Sequence, residues 1–301
     1  MILNVSSAKA FQNCRRRWLY EYHLGRVPRK GARALEFGRL YHVVMELHLN
    51  GFPMGEAIEK ASAMWDVLSR QADTPAERAV IADAVSDLSM MVEPLLQWRD
   101  EYPIEQTLEV EEPFEFEHQW APGLRIRGRP DRVAIIFGKL FHVQNRTLAG
   151  SRDIGLYIDT ARDDMHELLY AWALQKKYPT IPYGGTLFNI MKKLKYRGVA
   201  TKRHPEGLVL HPMSEIAVQL VVPMLPPAVH QALVDIEWVS NEIERTIREY
   251  ADGKMPARNR SLDAGPYQNA LDPYLLALRE PLLLADEAVY KDRTDPYQEA
   301  P

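Results

Sequence analysis

The stretch Leu124–Thr147, reading LRIRGRPDRVAIIFGKLFHVQNRT, carries the residues best suited to chemistry. Asp131 follows Gly128-Arg129-Pro130 and stands just ahead of the apolar run Val133–Ile136. Gly138 marks a turn, a second apolar run covers Leu140–Val143, and the polar cluster Gln144-Asn145-Arg146-Thr147 closes it. Two short apolar runs joined through a glycine predict a β-hairpin. Such a hairpin brings Asp131, at the mouth of its first strand, near Gln144 and Arg146 at the end of its second. A carboxylate, a second oxygen donor and a cation meeting at one sheet edge suit a divalent metal held beside a phosphodiester. A Pro-Asp pair ahead of a hairpin is also ordinary turn chemistry, so the pattern takes its meaning from the rest of the chain.

Two helical segments must present partners to that edge. In Phe37–Glu46, Gly38, His42 and Glu46 fall at i, i+4 and i+8 and share one helix face. A lone histidine is more often a core or capping residue, but this spacing upstream of the hairpin favours a metal ligand. Downstream, Asp164–Leu174 forms an amphipathic helix in which Leu168, Leu169 and Trp172 are core, while His166 and Tyr170 lie four residues apart. That pair is placed to meet a nucleic-acid backbone together. At the start of the chain, Ser6-Ser7 cap a short aromatic and basic helix containing Phe11, Arg15, Arg16, Arg17 and Trp18.

In this order, over residues 6–174, these elements resemble the PD-(D/E)XK nuclease superfamily, and within it the RecB-type branch that includes the CRISPR-associated adaptation nucleases. Pro130-Asp131 matches the first part of the motif as it stands. In the acidic-x-Lys triplet Gln144 replaces Asp or Glu and Arg146 replaces Lys, while Thr147 agrees with the Lys-Thr often seen there. Phe37–Glu46 looks like the branch's Gly-x-x-x-His-x-x-x-Glu element, and His166 to Tyr170 like its Gln-x-x-x-Tyr with His for Gln. The resemblance implies a restriction-endonuclease-like α/β (α+β) core and magnesium or manganese held by His42, Asp131, Gln144 and the Asn145 backbone carbonyl, supported by Glu46. It also implies that Asp131, Gln144 and Arg146 are catalytic, and that DNA is bound by His166, Tyr170, Arg15, Arg16 and Arg17. Cys14 sits where the branch often places the first of four cluster-binding cysteines, yet no other cysteine exists, so an iron–sulfur cluster is excluded.

The two departures bear on activity. A glutamine carbonyl offers a dipole where a carboxylate offers a full charge, so metal affinity should fall. Arg146 keeps the positive charge but cannot surrender a proton near neutral pH. Three readings follow: a metal-dependent DNA nuclease, expected as an exonuclease of recombination, repair or phage replication; a weakened or inactive pseudonuclease that binds DNA as a structural or recombination subunit; or an unrelated interaction protein. The first two predict DNA, and a recombination or replication protein, as partners.

Composition agrees with an intracellular globular protein, expected in the cytoplasm of a bacterial or phage-infected cell. The chain has 301 residues, 46% of them hydrophobic, enough for a sizeable core in one large domain over 1–301. No N-terminal signal and no membrane-length apolar run is evident. A net charge of −4 leaves room for a local basic cleft, with Arg26, Arg29, Lys30 and Arg33 early and Lys192, Lys193, Lys195, Arg197, Lys202 and Arg203 later. Hydrophobic period predicts helices over Met54–Arg70 and Pro75–Arg99, inside a helical insertion at about 53–104, and over Pro226–Tyr250 in a helical tail at about 225–301. A mixed sheet of four or five strands is expected from Leu108–Phe116, Leu124–Arg127, Val133–Ile136, Leu140–Val143 and Thr186–Leu194. Gly198–Gly207 reads as a loop, and apolar packing at Leu276, Leu278 and Leu282 is expected to close the two ends of the chain.

Overall fold

The computed structural model describes residues 1–28, 33–98, 100–149, 153–193, 217–255 and 290–292. The chain opens with β1 (Ile2–Asn4), α1 (Val5–Asn13) and the short α2 (Arg15–Trp18), followed by a π-helical turn at Leu19–His23 and β2 (Arg26–Pro28). Next come α3 (Arg33–Leu49), α4 (Met54–Gln71), α5 (Pro75–Ser89) and α6 (Val92–Leu96). Five strands follow: β3 (Gln106–Val110), β4 (Phe114–Glu117), β5 (Arg125–Gly128), β6 (Arg132–Ile136) and β7 (Lys139–Ala149). α7 (Ile154–Arg162) and α8 (Met165–Lys177) lead into β8 (Tyr183–Lys193), and β9 (Ala217–Val222), α9 (Pro226–Ala251) and β10 (Tyr290–Asp292) complete the described elements.

The central sheet has five strands in the order β3-β6-β7-β8-β9. Its pairings are antiparallel except for β7 with β8, where the α7–α8 crossover makes them parallel. Alternation along β7 gives the sheet two different faces. Leu140 packs towards α8 with Val133 and Leu174, whereas Phe141 and Val143 pack on the other face with Ala134, Ile136 and Leu187. α3 covers that second face, where a Cβ at Gly38 would lie 3.5 Å from the Thr147 hydroxyl. The helices α3 to α6 share a core of their own around Tyr41, Met45, Ala57, Trp65 and Leu88. The apolar stripe of α9 at Val229, Leu233, Ile236 and Val239 is buried against the other main core. Among the described residues, no helix is long and apolar enough to cross a membrane.

Several expectations need correction. The segment Leu108–Phe116 divides into β3 and β4, because Glu111 adopts a left-handed backbone (φ 51°) and Pro113 cannot donate to a ladder. Leu124–Arg127 is a strand, but it lies outside the central sheet, in a three-stranded sheet of order β1-β5-β4. The missing N–H of Pro130 separates β5 from β6, and each finds different neighbours. The second hairpin strand does not end at Val143: β7 runs to Ala149, since β8 keeps pairing with it after β6 has stopped at Arg132. Asn4 rather than Ser6 or Ser7 caps α1, its side chain accepting from the Ser6 N–H at 2.8 Å. The second insertion helix breaks between Ser89 and Val92. β9 was not anticipated, and Tyr290–Asp292, within the expected helical tail, is a strand paired with β2. The Gly198–Gly207 loop, the basic residues Arg29, Lys30, Lys195, Arg197, Lys202 and Arg203, and the tail contacts of Leu276, Leu278 and Leu282 lie outside the described residues.

The β6–β7 turn is a two-residue connection in which Phe137 and Gly138 both have positive φ, 50° and 68°. That is the turn whose twist matches flanking antiparallel strands. A Cβ on Gly138 would meet nothing within 4 Å, so a substitution there tests backbone strain alone. Gly138→Ala is expected to destabilise the protein by about 1 kcal/mol, read as a lowered denaturation midpoint with an unchanged denaturant slope.

Candidate active site

The site forms where β7 loses one neighbour. Arg132 pairs with Val143, and beyond that point only β8 borders β7 on the described strands. The freed N–H of Asn145 donates to Asp131 Oδ2 at 3.3 Å. From α3, His42 reaches the same carboxylate, its Nδ1 3.5 Å from Asp131 Oδ2. The His42 ring is also within hydrogen-bonding reach of the Asn145 backbone. Burial, with help from Arg146, lowers the His42 pKa below its ordinary value, against the opposing pull of Asp131, the Asn145 backbone and Glu46. The imidazole is therefore neutral at pH 7, the form that binds a metal.

Asp131 is held in place from below. The Tyr170 hydroxyl donates to the Arg129 carbonyl at 3.0 Å and accepts from the Arg129 N–H at 3.3 Å. Its ring lies so close to Gly128 that a Cβ there would sit 2.5 Å from Tyr170 Cε1 and 2.6 Å from Phe114 Cζ. Glu111 supports the other side, its N–H donating to the Asp131 carbonyl at 3.1 Å and its carboxylate pairing with Arg129 at 3.3 Å. Burial raises the Glu111 pKa despite Arg129, and the nearby Asp131 and Glu46 carboxylates raise it further.

On the α8 face, alternation sets His142, Gln144 and Arg146 in one row. His142 and Arg146 meet Glu167, a carboxylate only 3% exposed. Glu167 Oε1 lies 3.5 Å from an Arg146 terminal nitrogen and 3.5 Å from His166 Nδ1, while Oε2 lies 3.5 Å from His142 Nδ1. Tyr170 packs against both imidazoles, at centroid distances of 4.7 Å to His142 and 4.4 Å to His166. Burial alone would raise the Glu167 pKa, but hydrogen bonds and charge from His142 and His166 hold it well below the usual carboxylate range. Burial works against the Arg146 cation too, yet Glu167 and then Asp131 raise its pKa above the ordinary value, so it stays charged. Gln144 is 1% exposed, its amide beside the His142 ring and its Oε1 buried with no hydrogen-bond partner.

His42, Asp131 and the Asn145 backbone thus come together, with Arg146 and Glu46 close enough to influence His42 electrostatically. His166 contacts Glu167, Tyr170 packs on the His142 and His166 rings with its hydroxyl engaged by Arg129, and the Gln144 amide lies beside His142. Arg15 pairs with Glu242 at 2.8 Å and Arg17 with Glu21 at 3.4 Å, ties that fasten the N-terminal helices. His142, Glu167 and Glu111 were missed as functional candidates. Period-two spacing from Gln144 would have found His142, and helical spacing from Tyr170 would have found Glu167 one turn earlier; nothing local marks Glu111.

A divalent metal fits this donor set, with little charge to hold it. Asp131 would supply the carboxylate, His42 a neutral nitrogen and Asn145 a backbone oxygen, while Gln144 Oε1 is buried without a hydrogen-bond partner among the described residues. Among the described residues, no group of three or more His, Cys, Asp or Glu side chains could hold a metal ion, so neutral donors must do much of the work.

A family model described as the PD-(D/E)XK nuclease superfamily matches residues 2–262. No curated protein matches the chain.

Proposed function

We propose, from the premise that the chain belongs to the PD-(D/E)XK nuclease superfamily, that it is a metal-dependent deoxyribonuclease working as an exonuclease in recombination, repair or phage replication. Nucleases of this superfamily bind DNA and generally use divalent metal ions. The observation that carries the reading is the convergence of the Asp131 carboxylate, the His42 imidazole and the Asn145 backbone on the open edge of β7. Magnesium or manganese, when bound, supplies Lewis-acid activation of water and of the phosphoryl oxygen. Asp131 and His42 would hold it, with Asn145 and Gln144 as neutral donors. Arg146 faces the charge that builds on the phosphate and stabilises it without moving a proton. Glu167 keeps that guanidinium in place.

A second reading, a pseudonuclease that keeps DNA binding, draws on the tie between Arg146 and Glu167 and on the single strong carboxylate. Calorimetric titration of the full chain with manganese, with and without duplex DNA, separates the two when paired with a cleavage assay. Metal binding with cleavage supports the nuclease; DNA binding without cleavage in either metal supports the pseudonuclease. Restoring the family pattern with Gln144→Glu plus Arg146→Lys is expected to tighten metal binding about tenfold, roughly 1.4 kcal/mol. The same change should lower the metal-free melting temperature, because a second carboxylate then enters the buried layer that already holds Glu167.

A further inference from the structure

We propose that Gln219, Asn189, Asp100 and His48 are positioning residues that fix the spacing between His42 on α3 and Asn145 on β7; this rests on the nuclease reading of the site. Three buried amides form a directional chain across adjacent strands. Asn189 Nδ2 donates to Asn145 Oδ1 at 2.9 Å, and Gln219 Nε2 donates to Asn189 Oδ1 at 2.9 Å. These residues are also register partners, Asn145 with Asn189 and Asn189 with Gln219. Gln219 then leaves the sheet. Its Oε1 accepts from the Glu101 N–H at 2.6 Å and the Tyr102 N–H at 3.2 Å, and its Nε2 reaches Asp100 Oδ1 at 3.4 Å. Asp100 Oδ2 lies 3.5 Å from His48 Nε2, and His48 sits six residues after His42 on the same helix. The connections therefore close a ring from His42 along α3 to His48, Asp100, Gln219, Asn189 and Asn145, and back to His42.

A pocket of about 280 Å3, lined in part by His48, Asp100, Tyr102, Val143, Asn189 and Gln219, borders these links. The Tyr41 hydroxyl adds a direct contact from α3 to the sheet, donating to the Asn189 carbonyl at 3.4 Å. Where such a space adjoins the helix and the sheet, the polar links help to set their separation. Asn145, Asn189 and Gln219 are 4%, 0% and 5% exposed, at positions where apolar residues would pack with no desolvation cost. Buried polar groups that are fully bonded fix one arrangement where apolar packing tolerates several.

The test uses the full chain with Gln219→Met, which removes all four hydrogen bonds of the Gln219 amide, and Asp100→Ala, which breaks the ring at a residue whose side chain is 39% exposed. Both variants are expected to raise the manganese dissociation constant roughly tenfold, as replacement of outer-shell partners does, while the cleavage rate at saturating metal stays within about twofold. In the metal-free protein, the Asn145 amide and His42 ring-nitrogen resonances should shift in both. An Asp100→Ala protein that folds, leaves those resonances in place and binds manganese as the starting protein does would overturn the inference. A starting protein that binds no manganese and cuts no DNA sinks the nuclease reading instead, and the resonances alone then decide whether the ring exists.

Discussion

Asp131→Ala is expected to abolish DNA cleavage and manganese binding while the protein stays folded. Among the described residues, Asp131 is the one carboxylate in contact with both His42 and the freed Asn145 N–H. Without it the metal would face an imidazole and neutral oxygens, losing its only strong charge partner among them. A metal contributes several kcal/mol of transition-state stabilisation, so a loss of about 4 kcal/mol, close to a thousandfold in rate, is the expected scale. The side chain is partly exposed and sits at a strand mouth, so its removal leaves no unpaired charge in the core. Calorimetry, single-turnover cleavage and circular dichroism on one preparation check all three parts. Retained cleavage would mean that the hairpin carboxylate is not the metal's anchor.

Glu167→Ala should instead unfold the protein more readily. Glu167 is the central anion among Arg146, His142 and His166, and truncating it takes from a partly buried guanidinium its strongest carboxylate partner. Breaking one side of such a pair costs about 3–5 kcal/mol, or a fall of roughly 5–8 °C in melting temperature for a chain of this size. The pH dependence has a definite sign. The folded-state pKa of Glu167 lies well below its ordinary value of 4.5, so its contribution is present above that value and is lost as pH falls through the folded pKa. Glu167→Gln should therefore flatten the decline of stability below about pH 4.5. Thermal unfolding of both proteins across the acid range provides the check.

The hairpin and the order of the motifs were legible because both rest on local signals. Apolar runs of strand length flank Gly138, and the spacing of His42 from Gly38 and Glu46 places them on one helix face. On that face, His42 lies 3.5 Å from Asp131. What stayed hidden depends on neighbours distant in sequence. The extension of β7 through Gln144, Asn145 and Arg146 is imposed by β8, although those polar residues read as the end of a strand. Glu167 sat unremarked inside a helix read for His166 and Tyr170, since only the tertiary fold sets it against Arg146. The left-handed Glu111 carries no glycine or asparagine to announce it. The sheet of β1, β5 and β4 joins pieces so short that no periodicity could pair them.

That small sheet also shapes how the chain acquires its structure. β1 pairs in parallel with β5, Ile2 opposite Arg125 and Asn4 opposite Arg127, so the first strand completes its ladder only after more than a hundred intervening residues exist. The α3–α6 core draws nearly all its members from between Phe37 and Leu95 and can assemble while the rest is still being made. Loop-closure entropy makes the distant pairing slow and the local helices fast. During synthesis the N-terminal segment must wait for β5 to complete its ladder, and its apolar Leu3, Val5 and Phe11 share a core with residues as distant as Ile243. Chaperone capture of the nascent chain should persist in that interval and fall once Ile243 has emerged.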